Sequence, residues 1–262
     1  MKNKETIEFI VSWLRDYALK SGVNGFVIGV SGGIDSALTS TLCAKTGLPT
    51  LCLEMPIHQE KNQQNRSLLH MQWLKKNFKN IQTKSVELTQ VFDTFQQAVQ
   101  DDVSEEKKML SLANARARMR MTTLYYYAGV HNFLVAGTGN KVEDFGVGFY
   151  TKYGDGGVDV SPIADLMKSE VQSLAKTLGV DISIVTAAPT DGLWGDDRTD
   201  EDQLGASYPE LEWAMNQRDL GKQASDFEGR QKMAFEILER LHKKNLHKMI
   251  PIPVCEIPNS LR

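Results

Sequence analysis

Apolar residues recur along the chain in two patterns, one with helical spacing and one as short continuous runs. In the first twenty residues, Ile7, Ile10, Leu14 and Ala18 recur at intervals of three or four, with charged residues between them. This spacing predicts an amphipathic helix, and the interspersed charges argue against a signal peptide. The apolar run at 25–28 that follows is short, as in a buried strand.

The same alternation continues to the end of the chain. Further strands are predicted at 49–55, 81–88 and 132–138, and further helices at 59–78, 104–127, 167–178, 208–215 and 227–241. Strands that alternate with helices at this spacing predict βαβ units and a doubly wound parallel sheet flanked by helices, with a ligand crevice at the carboxyl ends of the strands. The expected fold class is therefore α/β, in a single domain that spans residues 1–262.

The length and composition are those of an ordinary globular protein. The chain has 262 residues, of which 41% are hydrophobic and 24% charged, so it can bury a large core. Its formal net charge of −3 gives no electrostatic reason to expect nucleic acid or a membrane as a partner. Cys43, Cys52 and Cys255 are far apart and form no CxxC pair, so neither a disulfide framework nor a zinc site is indicated, and a cytoplasmic location is expected.

A glycine-rich turn joins the first predicted strand to a helix that begins near Ala37. The turn consists of Gly29, Val30, Ser31, Gly32, Gly33, Ile34, Asp35 and Ser36. Glycines let the backbone come close to a ligand, and the two serines and the free N–H groups of the helix start supply hydrogen-bond donors. Such a turn is suited to binding phosphate.

The turn lacks the lysine of the GxxxxGK[ST] loop and has Asp35 instead, which argues against an ordinary P-loop. A carboxylate beside bound phosphates needs a cation between them, so Asp35 is predicted to be a magnesium ligand. The turn resembles the SGGxDS loop of the ATP pyrophosphatase family, which binds the pyrophosphate of ATP during adenylylation. The alternative is a plain strand-to-helix turn in which Asp35 is the acid at the helix start.

A second glycine-rich turn follows the strand predicted at 132–138. It contains Thr138, Asn140, Lys141 and Glu143. In a parallel sheet this turn faces the same crevice as the first one, which would let Glu143 share the metal with Asp35. A glutamate after a strand is otherwise usually solvated, so this prediction depends on the pairing of the two turns.

Residues 148–159, GFYTKYGDGGVD, contain four glycines and many polar residues. Such a segment buries too little apolar surface to be a core element, so we interpret it as a binding loop. Here the chain resembles ammonia-dependent NAD synthetase, in which a TKxGDGGxD segment binds the substrate dinucleotide. The resemblance continues through Lys168, Pro189–Thr190, residues 197–208 and His247–Lys248, and so covers nearly the whole chain.

The resemblance implies an adenine nucleotide alpha-hydrolase-like fold, a homodimer, and ATP-dependent amidation of deamido-NAD by ammonia through an NAD-adenylate, with release of AMP and pyrophosphate. The resemblance assigns the binding of ATP to residues 29–36, Thr138, Lys168 and Thr190, and the binding of magnesium to Asp35 and Glu143. It assigns catalysis to Asp35 and Lys168. The residues that it assigns to deamido-NAD are Arg118, Lys152, Asp159, His247 and Lys248. NAD is then the product and not a redox cofactor.

The chain departs from the family pattern in two places. It has Gly139–Val142 where the family has a histidine and alanines, and one extra residue before Phe149, both of which bear on the alignment of Glu143. Arg120 also matches a family position, so either Arg118 or Arg120 contacts the dinucleotide. These two arginines point in different directions on a helix, because an interval of two residues turns it by about 200°.

Several assignments also have a physical argument from the residues themselves. Lys168 lies at a predicted helix start, where a lysine is unfavourable unless an anion is near. Lys152 and Asp159 lie in a loop with no structural need for them, whereas His247 and Lys248 fit a site and a surface tail equally well.

The segment 191–203 contains six acids and few apolar residues. This composition indicates either disorder or a lid that excludes water from an adenylylation site, and we favour the lid.

Two other functions fit parts of the pattern. Another adenylylating ATP pyrophosphatase is one alternative, and a nucleotide-binding module without catalysis is the other. Enzymes that take ammonia from glutamine carry a glutaminase domain with an activated cysteine. The first predicted strand begins at Gly25 and the three cysteines lack the neighbours of a nucleophile, so we expect no such domain and free ammonia as the donor.

Overall fold

The computed structural model describes residues 1–59, 61–188 and 199–262. Within these ranges a parallel sheet of four strands has the order β3-β2-β1-β4. The strands are β1 (Gly25–Gly29), β2 (Thr50–Glu54), β3 (Ile81–Ser85) and β4 (Phe133–Val135). All four lie inside the segments predicted as strands or overlap them, and the predicted parallel α/β sheet is confirmed.

Ten α-helices surround this sheet in the described part of the chain. They are α1 (Asn3–Lys20), α2 (Ile34–Lys45), α3 (Lys61–Asn77), α4 (Thr89–Ala98), α5 (Glu105–His131), α6 (Lys168–Thr177), α7 (Ile182–Val185), α8 (Asp200–Leu204), α9 (Tyr208–Asp219) and α10 (Gly229–Met249). A π-helix at Val142–Val147 and 3-10 turns at Ala224–Asp226 and Asn259–Leu261 complete these elements. No helix in the described ranges combines the length and apolar character needed to cross a bilayer.

The two faces of the sheet are covered by different helices. Phe26 and Ile28 of β1 pack into a cluster with residues of α1, α2, α3 and α6. Val27 points to the opposite face and packs with residues of β2, α4 and α5. The side chains of a strand alternate between faces, so one apolar strand contributes to both layers. The doubly wound arrangement is therefore confirmed.

A third apolar cluster lies outside these two layers. Val142 and Val147 of the π-helix pack with Leu211 of α9 and with Phe235 and Leu238 of α10, all of them buried. Because the π-helix follows β4, this cluster supports the polypeptide at one end of the ligand crevice. It positions the segment that carries Glu143.

The differences from the predicted elements are mostly local. The helices predicted at 104–127 and 227–241 end later than expected, at His131 and Met249. α4, α7 and α8 have no counterpart among the predicted elements.

Candidate active site

A cavity of about 520 Å³ opens at the carboxyl ends of the strands, where the parallel sheet predicts a crevice. Its walls come from the segments that follow β1, β2 and β4 and from the start of α6. The whole turn at 29–36 and Thr138 line this cavity. Thr190 lies outside the described residues.

Hydrogen bonds within the glycine-rich turn give it a fixed shape. The Oγ atoms of Ser31 and Ser36 are 3.2 Å apart, and the Ser36 hydroxyl donates to the Gly33 carbonyl over 2.9 Å. Gly32 has a φ of +84°, and a Cβ atom there would lie 2.5 Å from the carbonyl oxygen of Gln63 in α3. Only glycine fits at this point, because both the backbone angle and the close approach of α3 exclude a side chain.

Asp35, Glu143 and Lys168 meet at one end of the cavity. The Nζ atom of Lys168 is 2.6 Å from Asp35 Oδ2 and 3.2 Å from Glu143 Oε1. Lys168 is only 6% exposed, and it is the first residue of α6. Its position at a helix start, which is unfavourable for a cation by itself, is thus offset by two carboxylates.

Asn140 links the two acids. Its Nδ2 donates to Asp35 Oδ1 over 3.0 Å, while its Oδ1 accepts from the backbone N–H groups of Val142 and Glu143. Asn140 is fully buried, so these contacts are shielded from water. One amide side chain therefore fixes both the Asp35 carboxylate and the start of the helix that carries Glu143.

The segment at Val142–Val147 is a π-helix, which has one more residue per hydrogen-bonded turn than an α-helix. This wide turn offers a physical account of the extra residue that the sequence has before Phe149. The insertion is taken up within the turn, and Glu143 still faces the cavity beside Asp35. π-Helical turns of this kind occur frequently at functional sites.

Tyr208, at the start of α9, completes the cluster. Its hydroxyl donates to Glu143 Oε1 over 2.6 Å and lies 3.3 Å from Asp200 Oδ2, and its ring centroid is 4.7 Å from Lys168 Nζ. Burial and the neighbouring acids raise the pKa of Tyr208, so its hydroxyl stays a hydrogen-bond donor. The sequence pattern marks Ser207–Tyr208 only as part of the family match, and nothing local identifies this contact.

The electrostatics of this end favour a further cation. Burial by itself would lower the pKa of Lys168, but Asp35 and Glu143 outweigh it, so the pKa is raised and the lysine is charged. Burial, together with Glu143, Asp155 and Asp35, raises the pKa of Asp144 to about 7. Lys168 is thus bonded to two of the carboxyl groups at this end.

Two carboxylates are a donor set suited to magnesium. Among the described residues, no group of three or more His, Cys, Asp or Glu side chains is arranged to hold a metal ion by itself. Magnesium, however, is commonly bound by one or two carboxylates together with substrate phosphates and water. Asp35 and Glu143 fit that role because they converge on Lys168 beside the glycine-rich turn.

The opposite end of the cavity lies at β2. Arg120 of α5 donates from Nε to the Met55 carbonyl over 3.0 Å and from Nη2 to Gln59 Oε1 over 2.9 Å. Arg118 instead lies at the surface, where its Nη2 is 3.3 Å from the Lys152 carbonyl. Of these two arginines, Arg120 is the one that lines the cavity. The guanidinium of Arg116 stacks on the ring of Phe92, with its carbon 4.7 Å from the ring centroid.

The other residues assigned to the dinucleotide lie outside this cavity, around the loop at 148–159. Lys152 Nζ donates to the His247 carbonyl, and Lys248 Nζ donates to the carbonyls of Gly148 and Tyr150. The Asp159 carboxylate accepts from the Val135 N–H and from the Tyr125 hydroxyl. Arg118, Lys152, His247 and Lys248 are therefore close together, whereas the Asp159 carboxylate is bonded to α5 and β4.

The predicted lid at 191–203 lies mostly outside the described residues. Its last part forms the start of α8, which Thr199 caps by accepting a hydrogen bond from the Asp202 N–H. Asp200 in this helix is buried and faces the Tyr208 hydroxyl. This part of the segment is packed against the site.

Comparison with known proteins agrees with this geometry. The sequence profile of the NAD synthase family matches residues 6–251. The NH(3)-dependent NAD(+) synthetase of Mesoplasma florum is 39% identical over 81% of this chain and 84% of its own length. The NMN synthetase of Francisella tularensis superimposes with a TM-score of 0.82 at 33% identity over 99% of both chains. The NH3-dependent NAD synthetase of Campylobacter jejuni, solved with a nitrate ion, superimposes with a TM-score of 0.78 at 27% identity over 98% of this chain and 100% of its own. The chain belongs to the NAD synthase family.

Proposed function

We propose that the protein converts deamido-NAD into NAD with ATP and ammonia. The observation that carries this proposal is the partly buried cluster of Asp35, Glu143 and Lys168 beside the glycine-rich turn, in a chain of the NAD synthase family. The carboxylate oxygen of the nicotinate attacks the α-phosphate of ATP, and the bond to the pyrophosphate breaks. Ammonia then attacks the acyl carbon of the adenylate, AMP leaves, and a proton is released from the nitrogen.

The residues of the chain bind and orient the groups that react. The backbone N–H groups and the serine hydroxyls of the turn at 29–36 hold the departing pyrophosphate. Lys168, kept charged by its two acids, stabilises the negative charge that develops there. Asp35 and Glu143 would hold magnesium, which supplies Lewis-acid stabilisation to the phosphate oxygens when bound. Asn140 and Tyr208 keep these two carboxylates in place.

Free ammonia is the proposed nitrogen donor. Cys43 and Cys52 are both buried, and burial raises the pKa of Cys43 and raises that of Cys52 to about 12. Neither thiol can supply the thiolate that a glutaminase requires. Buried free thiols also suit a reducing compartment, so we place the enzyme in the cytoplasm.

A homodimer is part of the same proposal. The helices α4 and α5 expose an apolar surface that includes Val91, Phe95, Met109, Leu110 and Tyr126, the last of them 65% exposed. Exposed apolar side chains on two helices that pack together are a feature of protein interfaces. Arg118 and Lys152 lie at its border, so a second copy would adjoin the residues assigned to the dinucleotide. A monomer in sedimentation at micromolar concentration would contradict this part.

A second substrate is favoured by one specific observation. The Francisella structure, which is named an NMN synthetase, has a higher TM-score and a higher identity than the Campylobacter NAD synthetase. The same chemistry applied to nicotinate mononucleotide would yield NMN, because the reacting carboxylate is identical. Our second candidate is therefore amidation of the mononucleotide.

The test compares both acids as substrates of the purified protein. Pyrophosphate release and amide product are measured with ATP, magnesium and either deamido-NAD or nicotinate mononucleotide, with ammonium or glutamine as the nitrogen source. We expect the dinucleotide to give the higher kcat/KM and glutamine to replace ammonium poorly. Preference for the mononucleotide selects the second candidate. If neither acid supports pyrophosphate release but another acid does, the protein is a different adenylylating enzyme. If it binds ATP and no acid supports release, it is the nucleotide-binding module without catalysis.

A further inference from the structure

One carboxylate oxygen of Glu54, the last residue of β2, is buried and has no hydrogen-bond partner among the described residues. The residue is 5% exposed and lines the cavity, and its Oε1 is shielded from solvent and has no donor within hydrogen-bond distance in the described ranges. Asp35 and Glu143 line the same cavity, and both are bonded to Lys168. In this respect Glu54 differs from Asp35 and Glu143.

An unpaired carboxylate in such a place lowers the stability of the free protein. A buried charge without a hydrogen bond is costly, and a strand end in an apolar sheet gives no structural reason for one. The residues before it, Leu51, Cys52 and Leu53, are all apolar and buried. A leucine at position 54 would continue this run without loss. A ligand that donates hydrogen bonds to Glu54 would account for its presence.

The position of Glu54 restricts what that ligand is. The Val30 N–H, at the entrance to the phosphate-binding turn, donates to the carbonyl of Leu53 over 2.8 Å. A nucleotide whose phosphates occupy this turn therefore has Glu54 beside the rest of the molecule. Phosphate itself would be repelled by a carboxylate, whereas adenine and ribose carry neutral N–H and O–H donors.

We propose that Glu54 is a specificity-determining residue that accepts a hydrogen bond from the nucleoside part of ATP. The donor is the 6-amino group of adenine or a ribose hydroxyl, which share the chemistry of a neutral donor. Glu54 thereby favours ATP over triphosphates that lack this donor, because the buried carboxylate would stay unpaired with them. The inference rests on the use of ATP in the proposed function.

The test measures nucleotide binding separately from catalysis. Calorimetry in the presence of magnesium compares ATP, inosine triphosphate, which lacks the 6-amino group, and 2′-deoxy-ATP and 3′-deoxy-ATP, which each lack one ribose hydroxyl. The proteins are the wild type, Glu54→Leu, Glu54→Gln and the control Thr39→Val. Thr39 also has a buried hydroxyl without a partner, but it does not line the cavity.

Glu54→Leu is expected to weaken ATP binding by about 10- to 100-fold, the effect of losing a hydrogen bond to a charged group. Its thermal midpoint without ligand should stay the same or rise, because an unpaired buried charge is removed. If the 6-amino group is the donor, Glu54→Leu should no longer prefer ATP over inosine triphosphate. If a ribose hydroxyl is the donor, the variant should no longer prefer ATP over the deoxy analogue that lacks this hydroxyl. Thr39→Val should leave all affinities unchanged.

Three results would overturn the proposal. The first is ATP affinity within twofold of the wild type in Glu54→Leu. The second is a variant that weakens deamido-NAD binding and leaves ATP binding intact. The third is a lowered thermal midpoint of Glu54→Leu together with nucleotide preferences of Glu54→Gln that equal those of the wild type. This combination would mark a structural role for Glu54. A wild type that binds ATP but forms no amide would refute the proposed function and leave the assignment of Glu54 standing.

Discussion

The acids at the two ends of the cavity differ in whether they have hydrogen-bond partners in the free protein. At the β4 end, Asp35 and Glu143 are bonded to Lys168, and Asn140 and Tyr208 add further hydrogen bonds. At the β2 end, Glu54 Oε1 has no hydrogen-bond partner among the described residues. The first arrangement is complete in the free protein, and the second becomes complete only with a ligand.

This difference separates positioning from recognition. A paired and hydrogen-bonded cluster keeps its geometry without substrate, which is what stabilisation of a transition state requires. An unpaired acid adds nothing to the stability of the free protein but distinguishes ligands by the donors that they carry. Substitutions at the β4 end should therefore reduce both catalysis and stability, whereas substitution of Glu54 should reduce affinity alone.

The largest effect is expected from the acids that we assign to magnesium. Asp35→Ala and Glu143→Ala should each lower pyrophosphate release by about 10²- to 10³-fold, since each removes a group that positions charge in the transition state, while the fold is retained. Steady-state kinetics and circular dichroism measure the two properties. Asp165→Ala is the control, because Asp165 is 98% exposed and bonded only to Lys141 at the surface. Normal turnover in Glu143→Ala would show that another acid holds the metal.

Lys168→Met, a substitution at the β4 end, should lower both the stability and the activity of the protein. The variant leaves Asp35 and Glu143 close together without a counter-charge, so we expect a free energy of unfolding lower by about 3 kcal/mol and a large loss of activity. Urea unfolding monitored by fluorescence measures the first quantity. Lys141→Met removes an equally long lysine whose partner is exposed, and it should change stability by less than about 1 kcal/mol. Equal effects of the two substitutions would contradict the comparison.

Most of the sheet was predictable from the sequence, because each strand is a local run of apolar residues. The apolar run 25–28 predicts β1 by itself, and the glycines at 32 and 33 predict the turn that follows it. α4 was missed although Val91, Phe95 and Ala98 recur at helical spacing in its segment. The π-helix was missed because its extra residue is visible in the sequence but its conformation is not.

The site was predictable only where a motif carries the information. Asp35 follows from the glycine-rich turn, and the pairing of Asp35 with Glu143 follows from two turns at one edge of a parallel sheet. The contact of Tyr208 with Glu143 joins residues 65 positions apart, and no local pattern encodes it. Glu54 was not identified, because what distinguishes it is the absence of a partner among its described neighbours in space.

Tyr208→Phe tests whether the β4 cluster depends on positioning. The variant keeps the ring beside Lys168 and removes the hydroxyl that holds Glu143 at 2.6 Å. We expect kcat to fall about tenfold and the magnesium concentration for half-maximal rate to rise, with the KM for ATP little changed. Kinetics at varied magnesium separates these quantities. A fall in thermal stability with an unchanged magnesium requirement would assign the hydroxyl a purely structural role.

The smallest effect is expected at His70, which tests how the layer behind the β2 end tolerates charge. His70 of α3 is 2% exposed and bonded to the Ser40 hydroxyl over 2.9 Å. Burial lowers its pKa from 6.5 to about 4, against a smaller opposing effect of the Ala37 carbonyl. The unfolded chain therefore binds a proton more readily than the folded one between these two values, so stability is lost as the pH falls from 6.5 towards 4.

This loss of stability at lower pH predicts a measurable difference between His70→Gln and the wild type. Urea unfolding at pH 7.5 sets the reference for each protein, and at pH 5.5 the wild type should lose about 1 kcal/mol more than the variant, since glutamine does not titrate. His131→Gln is the control for the substitution itself, because His131 is exposed at the end of α5. Parallel losses in His70→Gln and the wild type would show that this layer accepts a charged imidazole. The argument that burial behind β2 penalises charge, on which the contrast with Glu54 depends, would then fail.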